Sequence, residues 1–411
     1  MNKQSRYSLF LVSAIIMALF LPFSSSFSWF EEFRQSTRGK AMSNSLGTTW
    51  EGVEAMYYNP AALAHLKSAD AMMSYSQPGG GFSNFDDGST ISQIDFAAAF
   101  PFNNPINLRT AGWKNDFITT NAGFGFSYIQ QIYDSGDGTA MVAQRYVGIT
   151  YAKNLDNIIF QGARLSMGIT NNIYLLSFEG TDVTNNAAFA NTKGAAWSPD
   201  VGVTYNFSDF IKIALVYENI VPTSPSPFEE DGEPLTSQMK LGLSYELGSI
   251  GKFPFLQDIL VVGEWRIINP PYQGKNVNSD MSSLKTYHAG WESWYKIPGI
   301  MDIAARTGFA VGSQSYSETG MGIGLSRYFD HRKRYRGDIN FTWIWSSFAS
   351  SMAADHRFYV GGVFHYYFPD RMLPGYQFDT KIKSKVIEDT QDVGKKKEGE
   401  EAKPAEKPDK L

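Results

Sequence analysis

Residues 238–247 read Gln238-Met239-Lys240-Leu241-Gly242-Leu243-Ser244-Tyr245-Glu246-Leu247. Met239, Leu241, Leu243, Tyr245 and Leu247 are apolar, and every residue between them is polar, charged or glycine. Successive side chains leave a strand on opposite sides, so a period of two marks a strand with one apolar face. The pattern recurs along the chain. Val201, Val203, Tyr205 and Phe207 oppose Gly202, Thr204 and Asn206, while Ile339, Phe341, Trp343 and Trp345 oppose Asp338, Asn340 and Thr342. Phe124, Phe126 and Tyr128 oppose Gly123, Gly125 and Ser127, and Ile211, Ile213, Leu215 and Tyr217 oppose Lys212 and Glu218. A soluble β-sandwich alternates in the same way, so the period alone leaves two architectures open.

Spacing and connections favour a membrane barrel. Strand candidates lie at 69–76, 91–101, 117–130, 141–152, 158–170, 196–207, 210–219, 237–247, 257–268, 285–295, 301–311, 317–329, 337–347 and 355–368. That is about fourteen, an even number, as single-chain bacterial outer-membrane barrels have. Tight turns near Lys153–Asp156, Ser208 and Ile297–Gly299 alternate with long polar loops at Thr181–Ala195, Val221–Thr236 and Asn269–Ser283. Short periplasmic turns opposite long outer loops are the habit of such barrels, and this register puts both termini in the periplasm. The longer segment Phe102–Asp116 is an exception on the periplasmic side. One register also yields two aromatic girdles, with Tyr151, Phe207, Tyr328 and Phe329 at one end and Tyr128, Tyr217, Trp265, Trp343 and Trp345 at the other. The last strand places Phe358, Val360, Phe364, Tyr366 and Phe368 on the lipid side and closes on an aromatic.

Composition agrees. Aromatics make up 15% of the 411 residues, while Cys is absent and the net charge is −5. A strand needs only alternate apolar residues, so a barrel can be aromatic-rich without long apolar runs. The absence of cysteine excludes disulfides, thiolate metal sites, a cysteine nucleophile and a lipidated cysteine. The charge offers no basic footprint for nucleic acid. Lys3 and Arg6 precede the apolar run Leu9–Phe23 and then Ser24-Ser25-Ser26, which reads as a secretory signal peptide over 1–26. The alternative, an uncleaved anchor, is disfavoured by a run shorter than the roughly 20 residues a spanning helix needs. At the other end, Lys381–Leu411 is rich in Lys and Glu, contains Pro404 and Pro408 and has almost no aromatic or branched residues. It cannot bury enough apolar surface to order itself, so 369–411 reads as a flexible charged periplasmic tail.

Catalytic signatures are missing. There is no Gly-x-Ser-x-Gly elbow, phosphate loop or His-Glu-x-x-His run, and Gly320, Gly322 and Gly324 stand two apart as on a strand rather than in a dinucleotide turn. His65, His288, His331, His356 and His365 lack ligand spacing. The expectation is a protein that is not an enzyme and uses no metal or other cofactor, although a Ser-His-Asp set assembled only by folding stays open. The lumen-facing positions carry charge: Arg164, Lys212, Glu218, Lys240, Glu246, Glu264, Arg266, His288, Glu292, Arg306 and Asp338. Mixed signs inside a barrel commonly pair and rigidify it. A sharper reading has one or two of the basic residues, with Arg164, Lys240, Arg266 and Arg306 as candidates, meeting the carboxylate of an amphipathic ligand.

Between the signal and the first strand lie Thr37-Arg38-Gly39-Lys40-Ala41-Met42 and then Glu54-Ala55-Met56-Tyr57-Tyr58-Asn59-Pro60-Ala61-Ala62-Leu63-Ala64. This resembles the N-terminal region of the FadL/TodX-type outer-membrane hydrophobic-compound transporters and their PorV-like relatives, where a small-residue stretch leads into a Tyr-Tyr-Asn-Pro-Ala motif. The chain departs from the pattern at Ser43-Asn44-Ser45-Leu46-Gly47, where glycines are usual, and at Glu51-Gly52, where paired aspartates are common. The resemblance implies a transmembrane antiparallel β-barrel of about fourteen strands over 67–368, plugged by short helices over 27–66. Tyr57, Tyr58, Asn59, Pro60 and Ala61 would form the plug and its gate. The residues support this independently, because Pro60 cannot donate to a strand ladder and Asn-Pro favours turn or helix initiation.

The same resemblance implies passive uptake of hydrophobic or amphipathic molecules, such as long-chain fatty acids, across the bacterial outer membrane. Partners would be that small molecule, outer-membrane lipids and the barrel-assembly machinery. The alternative, from the PorV-like relatives, is a scaffold or partner in protein secretion or surface attachment, which adds a periplasmic or secreted protein as partner. A simple porin, the third reading, needs a water-filled lumen that an ordered plug would deny.

Overall fold

A computed structural model of the chain describes residues 34, 36–49, 52–79, 90–102, 122–134, 141–156, 164–179, 193–221, 223–224, 235–248, 257–269, 284–312, 317–330, 332–347 and 355–368. The expected signal peptide and charged tail, and most residues of the long loops, lie outside these ranges. The strands are β1 (Ala69–Gly79), β2 (Thr90–Phe102), β3 (Ala122–Asp134), β4 (Met141–Asn154), β5 (Leu165–Glu179), β6 (Lys193–Asn206) and β7 (Ile211–Glu218), followed by β8 (Ser237–Gly248), β9 (Gln257–Asn269), β10 (Leu284–Ile297), β11 (Met301–Gly312), β12 (Ser317–Tyr328), β13 (Tyr335–Ser347) and β14 (Asp355–Tyr366). Each pairs antiparallel with the next, and β1 pairs with β14 from Ala69↔Tyr366 to Gly79↔His356, so the sheet closes. Closure satisfies the backbone groups that an open edge would leave bare in lipid.

The period-two alternation sets which face is which. In the β12–β13 pair, Met321↔Trp343 and Ile323↔Phe341 point outward while Gly322↔Thr342, Gly324↔Asn340 and Ser326↔Asp338 point inward. Ile323 is 55% exposed and Trp343 48%, whereas Thr342 and Ser326 are each 2% exposed. Large apolar residues on the outside and small or polar ones within invert a soluble core, as a lipid-facing wall requires.

Three strands move from the sequence reading. The third runs Ala122–Asp134 rather than 117–130, since its pairing with β2 and β4 carries the ladder past Gln130 to Asp134. The fifth strand runs Leu165–Glu179 rather than 158–170, because alternation resumes at Ile173 and Leu175 beyond Asn171, which interrupts the apolar face. The sixth begins at Lys193, inside the expected loop Thr181–Ala195. The β6–β7 ladder is short, pairing only Val201–Asn206 with Tyr217–Lys212. Above it, β6 receives the Ile220 N–H on the Pro199 carbonyl at 3.0 Å and exchanges hydrogen bonds between Trp197 and the Thr223 hydroxyl.

Ahead of β1, the chain folds inside the barrel as α1 (Thr37–Ala41), a 3₁₀ turn at Val53–Tyr57 and a second 3₁₀ turn at Pro60–His65. Nearly every described residue from Ser36 to Ala64 is buried, charged ones included. These pieces are too short to hold themselves, so their stability comes from the wall around them.

Candidate functional site

The plug is built from its caps upward. Ser36 caps α1, its hydroxyl accepting from the Gly39 N–H at 3.0 Å. Asn59 caps the second 3₁₀ turn: its Oδ1 accepts from the Ala61 N–H at 3.0 Å, and Pro60 occupies the first helical position, where a missing N–H costs nothing. The Asn59 Nδ2 then donates twice, to the Gly47 carbonyl at 2.7 Å and to the Thr204 hydroxyl on β6 at 2.8 Å. One side chain thus ends a turn, ties two parts of the plug and anchors both to the wall.

Tyr57 and Tyr58 are each 2% exposed. The Tyr58 hydroxyl accepts from the Ser36 N–H at 2.9 Å and donates to Asn44 Oδ1 at 3.3 Å, joining the start of α1 to the segment after it. The Tyr57 hydroxyl is buried with no hydrogen-bond partner among the described residues. Ala61 is fully buried, and its backbone presses on Gly168 of β5.

That last contact is one of a belt. A Cβ built on Gly123 would overlap the Leu63 carbonyl, one on Gly168 the Pro60–Ala61 peptide, one on Gly308 the Met42 backbone and one on Gly320 the Lys40 carbonyl. These glycines lie on β3, β5, β11 and β12, and their missing side chains make the room in which the plug's backbone sits. The alternation of glycine with apolar residues, visible in the sequence, is therefore a footprint of the plug.

Buried ion pairs supply the remaining anchors. Arg38 forks onto Glu292 of β10, Nε to Oε2 at 2.9 Å and Nη2 to Oε1 at 2.8 Å, and Lys40 faces Glu318 of β12 at 3.4 Å. Arg306 Nε also reaches Glu292, at 2.5 Å, and its Nη1 donates to Asn340 Oδ1 at 2.8 Å. Arg266 holds Glu264 at 2.6 Å and donates to the Asn44 carbonyl at 2.5 Å, while Glu264 accepts from the Gly47 N–H at 3.1 Å. His288 Nδ1 donates to the Ser43 carbonyl at 2.7 Å. At the start of the described plug, Arg34 pairs with Asp200 and with Glu218 at 3.4 Å, and Lys240 closes on Glu218 at 2.5 Å. Removing one partner of such a pair costs about 3–5 kcal/mol, since the other is left charged and buried.

Of the basic residues singled out from the sequence, Lys240, Arg266 and Arg306 do face the lumen, each engaged by a carboxylate. Arg164 stands apart from them: it precedes β5 at the barrel end where β1 starts and β14 stops, its side chain 49% exposed beside Asp209, and it borders the same cavity as Arg306. Sequence reasoning missed Arg38, Lys40, Asn44 and Glu318 as parts of the plug's attachment. A signal for the first two was the pair of cations two apart in a segment otherwise small and apolar.

Below the plug, towards the end where β1 starts and β14 stops, lie two adjoining cavities of ≈ 720 and ≈ 540 Å³. The first lies under Thr48 and Thr49, and the second under Glu54 and His65; Arg38, Lys212, Trp294 and Arg336 border both. The guanidinium groups of Arg306 and Arg336 each lie over Trp294, 5.5 Å from its ring centroid. Burial raises the carboxyl pKa of Glu54, with Arg38 and Arg306 opposing the shift. Among the described residues no cluster of His, Asp or Glu is arranged to hold a metal ion.

Solved structures superpose on this barrel. The Ralstonia pickettii toluene transporter TbuX superposes with a TM-score of 0.50 at 11% identity, over 83% of this chain and 100% of that one. A deletion mutant of the TodX monoaromatic hydrocarbon channel gives 0.50 at 11% identity, over 82% and 100%. The chain has the FadL/TodX-type fold. A FadL homologue from Pseudomonas aeruginosa superposes less closely, at 0.46. No family model matches the sequence, and no curated protein does. With identities this low, the FadL/TodX-type likeness speaks to the fold alone, and the Tyr57-Tyr58-Asn59-Pro60-Ala61 segment lies in the plug inside this chain's barrel.

Proposed function

We propose that the chain is a bacterial outer-membrane channel for the passive uptake of hydrophobic or amphipathic molecules, long-chain fatty acids among them. The observation that carries this reading is the filled lumen: fourteen strands with an apolar exterior surround a plug whose described residues are almost wholly buried. A general porin needs an open aqueous bore, and a segment tied to the wall by glycine contacts and buried ion pairs is incompatible with one. A toluene transporter of the same fold supports a lipophilic cargo. The polar cavities at the end where β1 starts and β14 stops suit delivery of such a cargo to an aqueous compartment, and the lumen cations, engaged as they are, give an acid head-group partners to exchange with. In this reading that end faces the periplasm.

The test uses the full-length protein in lipid vesicles, with a labelled long-chain fatty acid, toluene and a small sugar as solutes. Uptake of either lipophile above protein-free vesicles, with no sugar flux, is expected. Sugar flux equal to lipophile flux would replace the reading with a porin. No flux at all, together with a secreted protein that co-purifies, would replace it with the secretion scaffold.

A further inference from the structure

The plug is held in two different ways, and the difference locates its moving part. On the basis of the uptake reading above, we propose that the segment Ser43–Thr49 is the gate, swinging away from β8, β9 and β10 over the ≈ 720 Å³ cavity while α1 and the Pro60–His65 turn stay seated.

The seated parts are fixed by backbone. The Lys40 carbonyl, the Pro60–Ala61 peptide and the Leu63 carbonyl each lie where the Cβ of a wall residue would be, against Gly320, Gly168 and Gly123. Such contacts cannot be released by a side-chain rotation. Arg38 adds a two-bond fork to Glu292, and Thr342 donates to the Thr37 carbonyl at 2.7 Å.

Ser43–Thr49 meets the wall differently. At its first residue the Ser43 N still lies against Gly308 beside the seated Met42 backbone, which makes Ser43 the hinge; from Asn44 onward the nearest contacts with wall glycines are made by side chains, Ser45 Oγ at Gly290 and Thr48 Cγ2 at Gly242. Its backbone is held by the tips of long or rotatable side chains: Arg266 on the Asn44 carbonyl, Glu264 on the Gly47 N–H, His288 on the Ser43 carbonyl and, from the seated turn, Asn59 on the Gly47 carbonyl, a bond that opening must also break. Each can let go by a rotamer change, and Arg266 and Glu264 keep each other when they do. The backbone of the segment also starts in a strained conformation: Ser43 and Asn44 sit in the left-handed region, at φ 48° and 61°. Thr48 and Thr49 border the cavity directly, so the space into which the segment would move is already there.

The absence of native cysteine allows a clean test. Thr48→Cys with Gly242→Cys would tie the gate to β8, since a Cβ on Gly242 lies 2.9 Å from Thr48 Cγ2. Thr37→Cys with Gly361→Cys would tie α1 to β14, where a Cβ built on Gly361 lies 3.3 Å from the Thr37 Cβ. In vesicles, oxidation of the first pair should abolish lipophile uptake and reduction should restore it, whereas oxidation of the second should leave uptake unchanged. Uptake that survives the first cross-link, or is lost equally with both, overturns the proposal. Should the first pair fail to assemble, Arg266→Gln, which frees the Asn44 carbonyl, decides: faster uptake than wild type is expected, and an unchanged rate refutes it. Hydrogen exchange provides a readout independent of transport. Amides of Ser45–Thr49 should exchange before those of Lys40–Ala41 and Ala62–Leu66, and the reverse order refutes the gate. A wild-type protein that carries no lipophile yet shows the expected exchange order would sink the uptake reading and leave the mobile segment standing.

Discussion

Replacing Asn59 by Ala removes three hydrogen bonds from one buried point. The cap on the Ala61 N–H is lost, which costs about 1 kcal/mol. The Gly47 carbonyl loses its donor inside the barrel, and leaving a buried acceptor unsatisfied costs about 1–3 kcal/mol. The bond to Thr204 on β6 contributes about another 1 kcal/mol. The sum is about 3–5 kcal/mol, and it falls on the plug, because the barrel ladders β5–β6 and β6–β7 do not pass through this side chain. At about 1.4 kcal/mol per factor of ten, local opening of the Pro60–His65 turn should become between about a hundredfold and a few thousandfold more frequent. Hydrogen exchange followed by mass spectrometry on the detergent-purified barrel reads this directly from peptides covering Ala61–Leu66. Strand peptides should exchange at wild-type rates, and heat-resistant gel mobility should persist. Exchange of the turn within a few-fold of wild type would refute the assignment of Asn59 as the plug's central tie, and so would collapse of the whole barrel.

Three further outcomes follow from the same geometry. Gly308→Val places a side chain on the Met42 backbone, so the plug must shift at an overpacking cost of about 1–3 kcal/mol; ion conductance across a planar bilayer should rise above wild type. Leu241→Arg, on the lipid face of β8, should lower barrel stability by about 2–4 kcal/mol in a urea titration, and no change would mean that the register is wrong. Glu54→Gln tests a pH dependence: the buried plug carboxyl has a raised pKa, so its protonated form favours the folded state at low pH. That contribution is lost as pH rises from the unfolded value through the folded one. The variant should therefore melt higher than wild type at neutral pH and about equally at pH 4, whereas a lower melting temperature at neutral pH would show that the ionised carboxylate stabilises the plug.

The strand character of the wall was legible in the sequence because it rests on a local rule. A residue and the residue two along share a face, so Met239–Leu247 or Ile339–Trp345 disclose their lipid side without reference to any partner. The same holds for Asn59-Pro60, since a cap acts on an amide two residues away. Local rules fail where a single polar residue faces lipid, as at Asn171, and there the reading ended β5 too early. What only the tertiary structure decided is where along the barrel axis each inward residue meets the plug. Arg38 finds Glu292 across 254 positions, and His288 finds Ser43 across 245. Alternation assigns a residue to the lumen but not to a depth, because strand tilt and stagger, which set depth, belong to the closed sheet as a whole. For that reason the lumen cations read from the sequence as candidate ligand contacts, and only the folded chain shows Arg266 holding the plug, Lys240 and Arg306 engaged by carboxylates, and Arg164 left at the rim.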